Sequence, residues 1–375
     1  MEYFLNDRQK DLKARAKRVA TELIKPKVLE LEKHGDLTRE VKDGLVNAGL
    51  YKIFVPPAYG GEDFGILELS LVVEELSTVC AGVATAYAAT GLGSMPVIVS
   101  GTEEQKQRYL SRIPNGEIAF AFGLTEPEAG SDASNIKTKA VRDGDHFIIN
   151  GQKQFITNGG VADVYTVFAS TNPDRGTRGV SAFLIEKGTP GFEIGKEEDK
   201  LGIKASKTCQ LLFNDCRVPK ENLLGKEGLG YVAALRTFDR TRPGVAAVAL
   251  GIAQGALETS ARRSQGLKDN PSVQKILADI ATRVEAARAL IYAVARMIDG
   301  GVKKFTKESA MAKVFASDIA MRSTINAIQA LGRSGCLKRN EVEKMMRDAK
   351  ITQIYEGTNE IQRLVIASEL VKEYG

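Results

Sequence analysis

A carboxylate placed directly before a glycine, in Ile354-Tyr355-Glu356-Gly357-Thr358-Asn359-Glu360-Ile361-Gln362-Arg363, is the stretch of this 375-residue chain best suited to chemistry. Gly357 permits a turn or a close backbone approach that a side chain would obstruct. Thr358 adds a hydroxyl. Outside a helix, the backbone N–H groups around it are free to bind an oxyanion. A base beside such donors can remove a proton next to a carbonyl and steady the enolate that forms. The plainer alternative is a loop between two helices carrying a solvated glutamate.

Three further stretches carry usable groups. Leu124-Thr125-Glu126-Pro127-Glu128-Ala129-Gly130-Ser131-Asp132 is polar and contains a glycine. Its Thr125 and Ser131 hydroxyls and the open backbone at Gly130 suit the edge of a planar cofactor and its phosphates; a β-hairpin connection is the ordinary alternative. In Gln154-Phe155-Ile156-Thr157-Asn158-Gly159-Gly160, strand alternation puts Phe155 and Thr157 on one face. There an aromatic ring can stack on a heterocycle while a hydroxyl bonds it. In Phe238-Asp239-Arg240-Thr241-Arg242-Pro243, Asp239 and Arg242 share a helix face. They form either a salt bridge or a grip on a polar ligand.

Other chemistries lose ground. The two histidines, His34 and His146, nearly exclude His-based metal sites and triads. The four cysteines, Cys80, Cys209, Cys216 and Cys336, are scattered without C-x-x-C, which argues against zinc or a disulfide framework and fits a reducing cytoplasm. The net charge of +5 is interspersed and calls for no nucleic acid. No Rossmann G-x-G-x-x-G, P-loop, EF-hand spacing or G-x-S-x-G is present. Met1-Glu2-Tyr3-Phe4 leads into a charged helix, unlike a signal peptide. No run is expected to approach the ~20 apolar residues of a membrane span, so no membrane role is expected.

The elements that must position these groups follow from the hydrophobic period. Leu12, Ala16, Val19, Ala20, Leu23 and Ile24 recur at helical spacing, and Pro26 kinks or restarts that helix. Residues 66–100 are apolar and small and predict largely buried helix. From about residue 118 the period shortens: 118–122, 146–150, 164–168, 180–185 and 210–213 are short β-type runs between Gly-containing turns. Without helices between them, they predict an antiparallel β-domain. From about residue 229 four long helical segments return, at 231–257, 273–298, 309–331 and 341–351. The expected fold is α+β: an N-terminal helical domain over 1–118, a middle antiparallel β-domain over 119–228 and a C-terminal four-helix bundle over 229–375.

Taken together, these stretches resemble the acyl-CoA dehydrogenase family across essentially the whole chain. The most specific pieces are 124–132, 151–160, Val218-Pro219-Lys220-Glu221-Asn222, Met346-Arg347-Asp348-Ala349-Lys350 and 354–363. The resemblance implies FAD, an acyl-CoA substrate, an electron-transferring flavoprotein as acceptor, and a homotetramer or homodimer. It implies that Glu356 removes the α-proton of the thioester while the β-hydrogen leaves as hydride to flavin N5. The Glu356 N–H and a flavin ribityl hydroxyl would hold the thioester oxygen. Thr125 and Thr157 match residues that bond the flavin ring, and Phe155 matches the aromatic that packs on it; Phe122 and Leu124 join this cofactor set. Gly130 and Ser131 match the loop contacting FAD phosphate and the CoA arm. Asp239 and Arg242 match CoA-binding positions, with Thr241, Tyr355 and Gly357 placed around the substrate. Thr358 matches a cofactor-binding hydroxyl, and Gln329 matches a glutamine reaching FAD across a subunit interface.

One region departs from the family pattern. In place of R-x-Q-F-G, the chain has Arg262-Arg263-Ser264-Gln265-Gly266-Leu267-Lys268, without the Phe and about one helical turn early. The companion Q-x-x-G-G is Gln329-Ala330-Leu331-Gly332-Arg333. Either Arg263 and Arg333 rebuild the pyrophosphate site with new cations, or FAD binds weakly. The rivals to a dehydrogenase are therefore a lyase or oxidase on the same fold, and an acyl-thioester-binding protein without redox activity. The pocket wall is expected from Ala88–Met95, Thr241 and Tyr355, with Thr90, Gly91, Gly93 and Ser94 leaving room. Short, medium, branched and cyclic acyl groups stay open.

Overall fold

The computed structural model describes residues 4–267 and 269–375. Met1, Glu2 and Tyr3, read above for a leader, and Lys268, read as part of the altered segment, lie outside the described residues.

Helix α1 (Asp7–Arg18) begins at a reciprocal cap: Gln9 N–H donates to Asn6 Oδ1, and Asn6 N–H to Gln9 Oε1. It loosens into a π-helical stretch, Val19–Ile24, and a tight turn at Lys25–Lys27. There Pro26 withholds its N–H, and the helix restarts as α2 (Val28–His34). After α3 (Arg39–Asn47) come the buried helices α4 (Ile66–Val79) and α5 (Ala81–Ser100), separated by an extended backbone at Cys80, and then α6 (Glu103–Leu110). By length and hydropathy α5 could cross a membrane, contrary to expectation, as could a 34-residue helix further on, Gly230–Arg263. The most apolar stretches of the two are 72% and 78% buried inside the protein, which accounts for their composition.

The middle sheet contains β1 (Phe120–Gly123), β2 (Lys139–Asp143), β3 (His146–Thr157), β4 (Val164–Ser170), β5 (Val180–Glu186), β6 (Phe192–Glu197), β7 (Thr208–Pro219) and β8 (Leu223–Leu224). Its order is β6-β7-β3-β2-β4-β5-β8, with β1 beside β4. The expected antiparallel pairing holds for most neighbours, but β1 and β4 run parallel over Phe120↔Val164 to Gly123↔Val167, and β2 meets β4 in parallel at one pair. The β2–β3 hairpin supplies the long crossover that a parallel pair requires. Alternate residues of β4 and β5 enter two different cores. Val164, Phe168, Val180, Ala182 and Leu184 join the helical core. Tyr165, Val167, Phe183 and Ile185 pack with Phe147, Phe192 and Phe213 on the other face.

The last third is α7 (Gly230–Arg263), α8 (Pro271–Asp299), α9 (Thr306–Leu331), α10 (Glu341–Thr352) and α11 (Asn359–Tyr374). Helix α11 is an addition to the expected four. Its pattern was weak because it buries only Asn359 and Gln362, while Leu364 and Val371 stay exposed. The thirds are tied by buried polar bonds. Asn158 Nδ2 donates to Ala86 O on α5 at 3.0 Å, and Thr166 Oγ1 to Gly93 O at 2.7 Å. Ile203 N–H donates to Asp348 Oδ1 on α10 at 2.6 Å, and Asp299 of α8 accepts the first N–H groups of α4.

Helices α4 and α7 pack backbone to backbone. A Cβ at Gly251 would lie 2.3 Å from Glu74 O and 2.4 Å from Ser77 Cβ, and one at Gly255 2.3 Å from Thr78 O. Gly251→Ala is therefore expected to destabilise the fold by about 1–3 kcal/mol through overpacking. Denaturant unfolding is the check; an unchanged midpoint would mean the helices separate at little cost.

Candidate active site

The site is assembled from four segments. The first is the turn after β1, locked from below by a buried ion pair. Lys153 Nζ donates to Glu126 Oε1 at 2.7 Å and to Leu124 O at 3.2 Å, and it is wholly buried. Glu126 also accepts the N–H groups of Lys137 and Thr138. Burial pushes the Glu126 carboxyl up, but Lys153 and these N–H donors outweigh that and hold it below the usual range. Burial draws the Lys153 ammonium down to about 8. Gln154 N–H donates to Thr125 O at 2.8 Å, and Glu126 and Ala129 bridge their backbones, so Thr125, Gly130 and Ser131 project from a fixed base.

The second segment is the end of β3. A bulge between Lys153 and Ile156 breaks the expected alternation, and Phe155 takes φ +58° and is 61% exposed. The third is α7, which supplies Thr241 and Arg242. The fourth is the turn between α10 and α11, where Glu356 has φ +49° and Gly357 φ +91°.

These segments enclose a cavity of about 360 Å³. Of the residues expected at the site, Phe122, Leu124, Thr125, Gly130, Ser131, Phe155, Thr157, Thr241, Arg242, Tyr355, Glu356 and Gly357 all line it. Five non-glycine residues among those described have positive φ, and two of them, Phe155 and Glu356, are in this wall. Strained backbone of that kind concentrates at functional sites.

Glu356 is half-buried, and it lines the cavity. Thr241 Oγ1 donates to Glu356 Oε2 at 3.1 Å, and the same hydroxyl lies 3.1 Å from Thr237 O. Burial pushes the Glu356 carboxyl up to about 7, against the Thr241 hydrogen bond and the charges of Arg242 and Lys313. A carboxyl poised there is half ionised near neutral pH, the condition for an effective general base. Among the described residues, the Glu356 N–H donates to no backbone carbonyl. It is therefore available to a ligand oxygen.

The other expected residues do not line this cavity. Asp239 is not brought to the cavity: it accepts Arg242 Nη1 at 2.7 Å and Thr306 Oγ1 at 2.7 Å, and so anchors Arg242 from behind. Arg242 is buried, and its Nε has no partner among the described residues. The Thr358 hydroxyl caps α11, accepting Ile361 N–H at 3.3 Å. Arg263 is exposed at the end of α7, 3.9 Å from Glu341, and Gln329 is exposed on α9. Thr90, Gly91, Gly93 and Ser94 do not widen the pocket. Helical phase turns Thr85, Ala88, Ala89 and Leu92 inward instead, while Gly91 abuts Phe54 and Gly93 abuts β1.

Sequence reasoning missed Leu69, Tyr231, Phe238, Val245, Val248 and Ile361 in the wall, and Lys313 behind it. Lys313 had a signal: a lone lysine on the face of α9 otherwise formed by Ser309, Ala312, Ala316 and Ala320.

Comparison with known proteins extends this geometry. Residues 6–117 match the family description "Acyl-CoA dehydrogenase, N-terminal domain", residues 121–216 the middle domain and residues 228–371 the C-terminal domain. The chain is 45% identical over 361 residues to a cyclohex-1-ene-1-carbonyl-CoA dehydrogenase of Geobacter metallireducens, covering 94% of this chain and 95% of that one. It superposes with a TM-score of 0.95 on butyryl-CoA dehydrogenase of Megasphaera elsdenii, at 43% identity over 98% of this chain and 99% of that one. It also matches, with a TM-score of 0.96 and 45% identity, a chain from work on the electron transferring flavoprotein of Acidaminococcus fermentans and flavin-based electron bifurcation, covering 99% and 100%. The chain thus belongs to the acyl-CoA dehydrogenase family, a FAD-dependent family, and is an acyl-CoA dehydrogenase.

Proposed function

We propose that the chain converts a compact acyl-CoA, a short chain or a small ring, to its trans-2-enoyl thioester, with Glu356 as the base. The observation that carries this reading is the Glu356 carboxyl, poised near 7 inside the cavity beside an unengaged backbone N–H. Glu356 Oε takes the α-proton. Its N–H receives the thioester oxygen as negative charge develops there. Thr241 orients the carboxylate, and Arg242 offsets its charge. Phe122, Phe238 and Leu124 shield the reacting carbons from water.

The remaining wall fits FAD. The Thr125, Ser131 and Thr157 hydroxyls and the exposed Phe155 ring share one cavity, and a Cβ on Gly130 would meet nothing within 4 Å, leaving that backbone open to close approach. FAD bound there supplies the acceptor for the β-hydride, so that a Cα=Cβ bond replaces the two lost C–H bonds. A cavity of about 360 Å³ shared between a flavin edge and an acyl group favours a compact substrate. The relatives named for a butyryl and a cyclohexene-carbonyl thioester support the same size class. An electron-transferring flavoprotein as acceptor and a homo-oligomer with Arg263 and Gln329 turned to a neighbour complete the proposal. Four unpaired cysteines support a cytoplasmic setting.

Anaerobic titration of the flavin-loaded protein with acyl-CoAs of increasing size tests this. Butyryl- and cyclohexene-carbonyl-sized thioesters are expected to bleach the flavin band, and long-chain thioesters to leave it. Bleaching by long chains alone would overturn the size assignment, and bleaching by none would overturn the reaction. The pH profile gives a second check. Because only ionised Glu356 accepts a proton, kcat/KM is expected to rise roughly tenfold per unit below about pH 7 and to level off above it. A profile flat from about pH 5.5 to 8.5 would exclude Glu356 as the titrating base.

A further inference from the structure

Lys313 is wholly buried on α9 and, among the described residues, has no carboxylate within bonding distance. Its Nζ donates to Gly357 O at 2.8 Å and to Asn359 Oδ1 at 2.9 Å. A buried ammonium is costly, and one that meets only neutral acceptors needs a reason to be there. The acceptors it meets belong to the turn that carries Glu356. Gln362, also wholly buried, reaches the same turn: its Nε2 donates to Glu356 O at 3.0 Å and to Gly357 O at 3.2 Å. Asn359 is held in turn by Ser317 Oγ and Asp318 Oδ1. The left-handed backbone of Glu356, φ +49°, is unfavourable for a residue with a side chain and persists only where its surroundings impose it, whereas Gly357 beside it takes its φ of +91° freely.

We propose that Lys313 is the positioning residue of the base: by holding the Gly357 carbonyl and Asn359 from behind, it fixes the strained Glu356–Gly357 turn in the conformation that keeps the Glu356 carboxylate in the cavity. The proposal rests on Glu356 being the base, and its experiment separates the two. Its charge acts in the same sense as its hydrogen bonds. Thr241 and Arg242 on α7, Lys313 on α9 and neighbouring Tyr355 face the Glu356 carboxyl. Glu356, Arg242, Asp318 and Glu360 surround Lys313, whose burial draws it down to about 8, leaving it cationic at pH 7. Loss of that cation raises the pH at which Glu356 ionises.

The test uses K313M, K313Q and K313R, each with and without E356Q, in the flavin-loaded protein. Melting temperature is followed from pH 5 to 9, which needs no turnover. A carboxyl raised by burial weakens the fold as it ionises, so E356Q gains on wild type with rising pH and the gain levels off above about 7. In K313M and K313Q this levelling is expected to move up by about one unit, a tenfold shift in the ionisation constant. K313R, which keeps charge and donor, is expected to restore it. At pH 7, kcat is expected to fall about fivefold in K313M and K313Q with KM little changed, as the ionised share of Glu356 drops from about a half to about a tenth, and to recover toward alkaline pH. Should K313M fail to fold, K313Q and K313R carry the comparison. A levelling pH identical in every background would overturn the proposal. If the levelling moves but E356Q retains turnover, the hold of Lys313 on Glu356 stands and the assignment of the base falls.

Discussion

Glu356→Gln is expected to lose roughly 10²–10⁴ in turnover while retaining flavin and still binding acyl-CoA. The amide preserves shape and can still accept the Thr241 hydroxyl, but it cannot take a proton from carbon. The same variant is expected to melt higher than wild type at pH 8 and alongside it near pH 4.5. The sign follows from burial. The carboxyl is raised from 4.5 to about 7 in the folded chain, so the fold is burdened by its ionisation progressively above pH 4.5 and fully only above about 7. A neutral amide escapes that burden. Stopped-flow reduction by substrate and thermal melts at the two pH values are the measurements. Flavin reduction within tenfold of wild type would strip Glu356 of its role as base. An unchanged melting temperature at pH 8 would show that the carboxyl is not held in the environment described.

Glu126→Ala is expected to cost about 3–5 kcal/mol of stability and to deplete bound flavin at least tenfold. The substitution leaves the wholly buried Lys153 ammonium without its carboxylate, and a buried charge stripped of its partner is among the most damaging single changes. It also frees the N–H groups of Lys137 and Thr138 and unlocks the turn that presents Thr125, Gly130 and Ser131. In the wild type this contribution has its own pH window. Glu126 is held below its ordinary value, so the stability it adds is present above about 4.5 and is lost as pH falls through the lower folded value. Urea unfolding with and without added FAD distinguishes the two effects. A variant as stable as wild type and fully yellow would mean the ion pair is dispensable to both fold and turn.

The three-part architecture was legible because its period changes are long and unambiguous: helical through Leu110, two-residue from Phe120, helical again from Gly230. The parallel β1–β4 pairing was not, since nothing local in Phe120–Gly123 records which distant strand it will meet. The turn proposed to carry the base could be singled out because Glu356, Gly357 and Thr358 are contiguous. The cavity wall could not be read by listing small residues. Thr90, Gly91, Gly93 and Ser94 are small so that α5 can sit tightly against its neighbours, whereas the residues that shape the cavity are set by helical phase. Phe155 and Thr157 both line the cavity, but by way of a bulge rather than the alternation expected. Asp239 and Thr358 were picked out as ligand-binding positions, and within the chain the bonds they make are to Arg242, Thr306 and the α11 cap.

The close approach of α4 and α7 at Gly251 and Gly255 bears on how substrate range can change. Leu69 on α4 and Val245 and Val248 on α7 line the cavity from these two helices. With their backbones already touching, the helices cannot draw closer, and parting them would open voids along the whole seam. Selection, natural or in the laboratory, is thereby confined to trimming or enlarging side chains on a rigid frame. If the acyl group occupies this part of the cavity as proposed, Leu69→Ala and Val248→Ala are expected to admit a longer chain, with gains in discrete methylene-sized steps rather than as a gradual loosening of preference.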